Sequence, residues 1–121
     1  MKEKKTLILG ASTNPGRYSY LALKKLLAYN HPVVAIGKQK GSVGSIEISN
    51  VKETIPDIDT VTLYMNPQNQ KGYYDYILGL HPKRIIFNPG TENEELEALA
   101  SKKGIEVLEA CTLVMLSTGQ Y

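Results

Sequence analysis

The sequence predicts an α/β fold in which a five-stranded parallel sheet is doubly wound, with helices on both faces in three layers. Short apolar runs rich in β-branched residues recur along the chain without strict alternation, which is typical of strands buried on both faces. Segments of helical period separate most of these runs, so strands and helices alternate. At 121 residues the chain has the length of one domain, predicted to span 1–121.

Five runs of four to six residues are the predicted strands: TLIL at 6–9, PVVAIG at 32–37, TVTLYM at 60–65, RIIFN at 84–88 and IEVLEA at 105–110. Counted in chain order, they are expected to lie in the order 3-2-1-4-5, which places the switch of direction between the first and fourth strands. The polar segment 38–59 contains Gly41 and Gly44 and is interpreted as a loop-rich crossover with at most a short extended piece at 46–48.

Two helices are predicted from apolar stripes between these strands. The first follows the first strand and ends at Asn30-His31-Pro32, and its stripe consists of Tyr18, Ala22, Leu23, Leu26 and Leu27. The second and weaker stripe consists of Tyr73, Tyr76, Ile77 and Leu80. Both helices connect one predicted strand to the next.

The clearest predicted helix spans 92–103. Thr91 and Glu94 have the spacing of a capping box, and Gly104 follows as a C-terminal stop. Leu96, Leu99 and Ala100 are expected to form its buried face.

Composition excludes several classes of protein. The formal charge of +2, from 14 basic and 12 acidic residues, is far below the basic excess of nucleic-acid or membrane-surface binders. No window approaches the roughly 20 apolar residues of a membrane helix, and the apolar run after MKEKK is too short for a signal peptide. Cys111 is the only cysteine, which excludes an internal disulfide and a multi-cysteine metal site. We therefore expect a cytoplasmic protein without a metal site.

A ligand crevice is predicted where two loops rich in Gly, Pro and Asn meet. In open parallel sheets, ligands bind beyond the carboxyl ends of the strands at the switch point, where GASTNPGR (10–17) and NPGTE (88–92) are expected to lie. Backbone N–H groups, the hydroxyls of Ser12 and Thr13, and the Arg17 guanidinium suit a phosphate or pyrophosphate. The alternative is that Asn14-Pro15-Gly16 is only a tight turn that starts a helix.

The common nucleotide fingerprints do not fit this loop. Five residues separate Gly10 from Gly16 and Arg17 follows, which departs from the Walker spacing, and Ser12 stands where a dinucleotide motif has its second glycine. The second strand ends in GKQK, so Lys38 and Lys40 replace the acidic residue that binds the ribose in NAD sites. This charge favours a phosphorylated ribose, as in NADP or coenzyme A, unless the lysines are only solvated side chains.

Five strings along the chain carry a resemblance to a known family: GASTNPGRYSYLA, HPVVAIGKQKG, IDTVTLYMNP, PKRIIFNPGTENEEL and GIEVLEACTLVMLSTGQ. Together they resemble the small stand-alone CoA-binding-domain proteins, relatives of the nucleotide-binding domain of the succinyl-CoA synthetase α subunit. The resemblance covers nearly the whole chain, and NPGTEN and EACTLVML are more specific than a glycine loop. It implies a Rossmann-like fold.

The resemblance implies roles for thirteen residues. The first loop would hold the CoA pyrophosphate through Gly10, Ser12, Thr13, Asn14, Pro15 and Arg17. Gly37 and Lys38 would lie beside the adenosine 3′-phosphate, where many relatives have Asn-Pro-Lys. Asn66 and Pro67 would line the pantetheine path or the adenine side, and Asn88, Pro89 and Gly90 would form the opposite wall.

No reaction is implied by the resemblance. The phosphorylated histidine of the synthetase lies in a second domain, and we expect His31 and His81 to be turn residues on the amino side of the sheet, since each precedes a proline. Cys111 is either a buried small side chain or a thiol able to form a mixed disulfide with CoA.

We therefore expect a module that binds CoA or acyl-CoA in a binding or regulatory role rather than a complete enzyme. One alternative is an NADP-binding, oxidoreductase-like module that needs a partner. Another is a structural subunit with a vestigial crevice, whose C-terminal segment TLVMLSTGQY packs against a second copy in a homodimer.

Overall fold

A computed structural model describes residues 2–121, and seven strands form its central sheet. The strands are β1 Thr6–Leu9, β2 Val33–Ile36, β3 Gly41–Val43, β4 Ile46–Ser49, β5 Thr60–Leu63, β6 Arg84–Phe87 and β7 Glu106–Glu109. They lie in the order β3-β4-β2-β1-β5-β6-β7, and every pair is parallel except β3 and β4. The expected α/β architecture with a mainly parallel sheet is confirmed.

Helices cover both faces of this sheet, and each face has its own apolar core. The helices are α1 Tyr18–Ala28, α2 Pro67–Gln70, α3 Tyr74–Gly79, α4 Glu94–Lys102 and α5 Thr112–Ser117, with a 3₁₀ turn at Lys71–Tyr73. α1 and α5 pack on one face through Leu23, Leu26 and Leu116, and α3 and α4 pack on the other through Ile77 and Leu96. Within residues 2–121, no helix is long and apolar enough to cross a membrane.

The prediction of five strands is wrong, because the segment 38–59 contains β3 and β4. Gly44, at φ +59°, and Ser45 form a two-residue turn that folds the chain back as an antiparallel hairpin. β4 then joins the sheet in parallel to β2. Of the hairpin strands only Val43 and Ile48 are buried, so the segment lacks the continuous apolar pattern of the other strands.

The expected strand order 3-2-1-4-5 is also corrected. β4 occupies the position beyond β2 that had been assigned to the strand at 60–65, and that strand, β5, pairs with β1 instead. The switch of direction therefore lies between β1 and β5, not between β1 and β6. Consequently the loop after β5 lies beside the loop after β1, and the loop after β6 is one strand further away.

Two details of the helices differ from the predicted stripes and caps. Tyr18 begins α1 but is 72% exposed, because Ser19 turns inward in its place. α4 is capped by Asn93, whose Oδ1 accepts a hydrogen bond from the Leu96 N–H at 3.1 Å, and not by Thr91 and Glu94. Leu99 is exposed on the outer side of α4.

His31 is buried on the amino side of the sheet, at the end opposite the predicted crevice. Its Nδ1 accepts a hydrogen bond from the Lys4 N–H at 3.0 Å, and its ring packs edge-on against Tyr121 at a centroid distance of 4.9 Å. The Arg84 guanidinium lies 4.4 Å from the centroid of the same tyrosine ring. Burial, with Lys4 and Arg84 close by, lowers the pKa of His31 below its ordinary value of 6.5.

We expect this histidine to make stability depend on pH. The unfolded chain takes up a proton on His31 near pH 6.5, whereas the folded chain resists protonation down to its lowered pKa. The free energy of unfolding should therefore be highest above about pH 6.5 and fall as the pH drops toward that lowered value. Urea titrations at several pH values, compared with those of His31→Gln, measure this contribution.

The exposed His81 provides the control, since His81→Asn should keep the pH dependence of the wild-type protein. Asparagine suits the positive φ of +51° at that position. Equal pH dependence in the wild-type and His31→Gln proteins would contradict the assignment to His31.

Candidate functional site

A crevice of about 790 Å³ opens beyond the carboxyl ends of β1, β2, β5 and β6. This volume lies within the range of pockets that hold small molecules and cofactors, roughly 300–1,000 Å³. Its walls come from four loops: 10–13 with 17–19 after β1, 37–40 after β2, 64–66 with Asn69 and Tyr73 after β5, and 89–91 after β6. The crevice therefore lies at the topological switch of the sheet.

The first loop is shaped by its own short side chains. Gly10 has φ +96°, and a Cβ there would lie 2.8 Å from the Tyr64 carbonyl carbon, so only glycine fits. Ser12 Oγ accepts a hydrogen bond from the Asn14 N–H at 3.0 Å, and Asn14 Oδ1 accepts one from the Gly16 N–H at 2.9 Å. Asn14 and Pro15 are thus turn-forming residues outside the crevice wall.

Several hydrogen-bond donors of this loop are left without a protein partner. Within residues 2–121, no hydrogen bond uses the backbone N–H of Ser12 or Thr13. α1 has no side-chain cap at Arg17, so the N–H groups of Tyr18 and Ser19 in its first turn are also available. The Arg17 side chain is exposed and lines the same wall. This arrangement suits an anion.

The loop after β2 adds cationic side chains to the same side of the crevice. Gly37 lies so close to the first loop that a Cβ there would approach Ala11 O to 2.3 Å. Lys38 and Lys40 follow, exposed and without a salt bridge to any residue in 2–121. Both line the crevice, so their charge is available to a bound anion.

The loop after β5 forms the opposite side. Asn66 lines the crevice and caps α2, its Oδ1 accepting a hydrogen bond from the Asn69 N–H at 2.9 Å, while Pro67 only starts that helix. Burial raises the pKa of the Tyr64 phenol, which therefore stays neutral at physiological pH. The Thr62 and Thr112 hydroxyls lie beside it, where they oppose this rise in pKa, and they bond to each other at 2.8 Å. Within residues 2–121 the Tyr64 hydroxyl itself has no hydrogen bond of good geometry.

The structure places Asn88 beneath the crevice and not in its wall. The side chain is only 2% exposed, and its Nδ2 donates to Thr62 Oγ1 at 2.7 Å and to Leu63 O at 2.9 Å. Its Oδ1 accepts a hydrogen bond from the Thr112 N–H at 2.9 Å. Asn88 thus joins the ends of β5 and β6 to the start of α5, and Pro89, Gly90 and Thr91 are the residues of its loop that reach the surface of the crevice.

Most of the residues selected from the sequence come together here. Those that line the crevice are Gly10, Ser12, Thr13, Arg17, Gly37, Lys38, Lys40, Asn66, Pro89 and Gly90. The lining residues that the sequence did not single out are Ala11, Tyr18, Ser19, Gln39, Tyr64, Met65, Asn69, Tyr73 and Thr91. The strings GASTNPGR, GKQK, IDTVTLYMNP and NPGTE contain Ala11, Gln39, Tyr64, Met65 and Thr91, and this placement is the sequence signal for those five positions.

The other candidate side chains lie outside the crevice. Cys111 is half-buried at the N-cap of α5 and does not line the cavity, and His31 lies at the opposite end of the sheet. Part of the C-terminal segment packs against its own chain, because Leu116 and Tyr121 are buried in the same core as the apolar side chains of α1. No group of three or more His, Cys, Asp or Glu side chains within residues 2–121 is placed to hold a metal ion.

Comparison with known proteins places the chain among CoA-binding domains. The family model described as a CoA binding domain matches residues 4–117. A crystal structure titled as that of an uncharacterised protein is 54% identical, with each chain fully covered (100%) and a TM-score of 0.98. No curated protein matches the chain.

Two archaeal structures are more distant relatives. A hypothetical protein from Pyrococcus horikoshii OT3 is 25% identical over 97% of this chain and 84% of its own, with a TM-score of 0.86. A conserved hypothetical protein from Pyrococcus furiosus is 26% identical over 92% and 97% of the two chains, with a TM-score of 0.80.

We predict that Asn88→Ala destabilises the protein strongly. The substitution leaves the Thr112 N–H and the Leu63 carbonyl without their buried partner. Each lost buried hydrogen bond of this kind costs about 1–3 kcal/mol, so the free energy of unfolding should fall by at least about 2 kcal/mol. Chemical denaturation measures the change. Asn50→Ala, in an exposed loop, should change stability by less than about 0.5 kcal/mol; a similar loss in both variants would refute the role of Asn88.

Proposed function

The chain belongs to the CoA-binding domain family, and we propose on that basis that its crevice binds coenzyme A or an acyl-CoA. The observation that carries the proposal is the combination of Arg17, Lys38 and Lys40 with unpaired backbone N–H groups on one side of the crevice. A CoA molecule has a pyrophosphate and a 3′-phosphate, and these groups require such donors.

The chemistry of the donors fits the two phosphate groups separately. The N–H groups of Ser12 and Thr13, with Arg17 at the start of α1, suit the pyrophosphate. Lys38, at the end of β2, suits a phosphate on the ribose. Among the described residues that line the crevice, none is an Asp or Glu to accept the ribose hydroxyls of NAD. The family match gives no support to NADP, which also carries a ribose phosphate.

The side chains that line the crevice support a binding or regulatory role better than a catalytic one. The titratable side chains in its lining are those of Arg17, Lys38, Lys40 and three tyrosines, with no Cys, His, Asp or Glu among the described residues there. The Ser and Thr hydroxyls of this lining therefore have no imidazole or carboxylate among the lining residues to act as their general base.

A thermal-shift comparison tests the proposal. We expect CoA and acetyl-CoA to raise the melting temperature, since a ligand that binds only the folded chain stabilises it by mass action. NAD at the same concentration should leave it unchanged, and NADP serves as a second comparison. Stabilisation by NAD or NADP with none by the CoA ligands would contradict the proposal.

The charge reversal Lys38→Glu tests whether Lys38 binds the 3′-phosphate of CoA. A charge-assisted hydrogen bond contributes about 1.5–3 kcal/mol, so CoA affinity should fall about ten- to hundredfold, with a much smaller loss for dephospho-CoA. Isothermal titration calorimetry measures both ligands. Lys103→Glu, at the opposite end of the sheet, makes the same change in net charge and should bind both ligands as the wild-type protein does. An equal loss for both ligands in Lys38→Glu would show that Lys38 does not contact the 3′-phosphate.

A further inference from the structure

The two sides of the crevice differ in charge. The cationic wall, residues 10–19 and 37–40, contains Arg17, Lys38 and Lys40. The neutral wall consists of the lining residues within 64–73 and 89–91, and none of its described side chains carries a charge. A ligand with charged and uncharged parts is therefore expected to divide between the two walls.

A single buried side chain joins the two loops of the neutral wall. Gln70 is 0% exposed, and its Nε2 donates to Met65 O at 2.9 Å in the loop after β5 and to Thr91 O at 2.8 Å in the loop after β6. Its Oε1 accepts a hydrogen bond from Asn93 Nδ2 at 2.9 Å. Both amide hydrogens and the amide oxygen of Gln70 therefore have partners.

The network continues from Gln70 into the helices behind the wall. Asn93 caps α4 and also donates from Nδ2 to the Tyr74 hydroxyl at 2.9 Å. The Tyr74 hydroxyl donates in turn to Glu95 Oε1 at 2.9 Å. The bonds of Gln70 to Thr91 and Asn93 are buried, so they hold the two loops at one separation and connect them to α4. The Tyr74 hydroxyl extends the network to the start of α3 through a partly buried and an exposed bond.

We propose that Gln70 is a positioning residue that holds the neutral wall in the shape required by the uncharged, amide-bearing arm of CoA. This inference rests on the proposed CoA binding. With the phosphates on the cationic wall, the arm of CoA beyond the pyrophosphate carries amides, a hydroxyl and a thiol and no charge. Such a chain requires fixed polar groups and apolar contacts, which Asn66, Met65 and Thr91 supply on the two loops that Gln70 joins.

Two ligands and two matched variants test this inference. Adenosine 3′,5′-bisphosphate carries the adenine, the 3′-phosphate and the first of the two 5′-phosphates of CoA, without the uncharged arm. In Gln70→Leu we expect CoA affinity to fall at least tenfold, and affinity for the bisphosphate to stay within about twofold of wild type. Gln68→Leu, at an exposed position in the same helix, should bind both ligands normally. Calorimetry gives the affinities and circular dichroism checks the fold.

The outcomes separate this inference from the proposed function. Wild-type protein that binds no CoA would overturn both. CoA binding by the wild-type protein, with Gln70→Leu binding equally well or losing both ligands to the same extent, would overturn only the role of Gln70.

A measurement on the wild-type protein is independent of how well the variant folds. In NMR titrations, the backbone amide signals of Asn66 and Thr91 should shift together on addition of CoA and not on addition of the bisphosphate. Shifts confined to the cationic wall with both ligands would refute the inference.

Discussion

The geometry of the crevice depends on the close approach of backbone segments at the ends of the strands. A Cβ at Gly37 would lie 2.3 Å from Ala11 O, and one at Gly10 would lie 2.8 Å from the Tyr64 carbonyl carbon. Real side chains do not tolerate such contacts, so both positions require glycine. Gly41 adds a third contact, because its Cβ would lie 2.6 Å from Thr13 Cγ2. The first loop is thus held between the β5 loop on one side and β2 with the β3–β4 hairpin on the other.

The charge of the chain is segregated although its total is small. No Asp or Glu occurs between Lys4 and Ile46, a segment whose basic residues are Lys4, Lys5, Arg17, Lys24, Lys25, Lys38 and Lys40. The loops after β1 and β2 belong to this segment, whereas most of the acidic residues follow on β4 and beyond. A formal net charge of +2 therefore coexists with a locally positive wall, and local potential rather than net charge attracts an anion.

The sequence predicts the elements whose signal is local and misses those that depend on distant contacts. The strands β1, β2, β5, β6 and β7 lie within the predicted apolar runs. Such runs arise where a strand is buried on both faces, and β5 and β6, for example, are buried over their whole length. The hairpin gives no such pattern, and its presence changes the order of the sheet. Gln70 likewise carries no local signal for its role, since the two partners that tie it to the loop after β6 and to α4, Thr91 and Asn93, are 21 and 23 residues away. Nothing in the sequence near Asn88 distinguishes a buried support from a residue that faces the crevice.

Hydrogen bonding separates the supporting residues of the crevice from those that face it. The side-chain amides of Asn88 and Gln70 are buried, and both are bonded to protein partners through oxygen and nitrogen. The donors on the cationic wall lack such bonds. Within residues 2–121 the N–H groups of Ser12 and Thr13 have no hydrogen-bond partner, and Lys38 has no salt bridge. A buried polar group without a bond destabilises a fold, whereas an exposed donor remains solvated until a ligand replaces the water. The cationic wall therefore retains donors whose hydrogen bonds the fold does not use, and the side chains beneath and behind the crevice hold its shape.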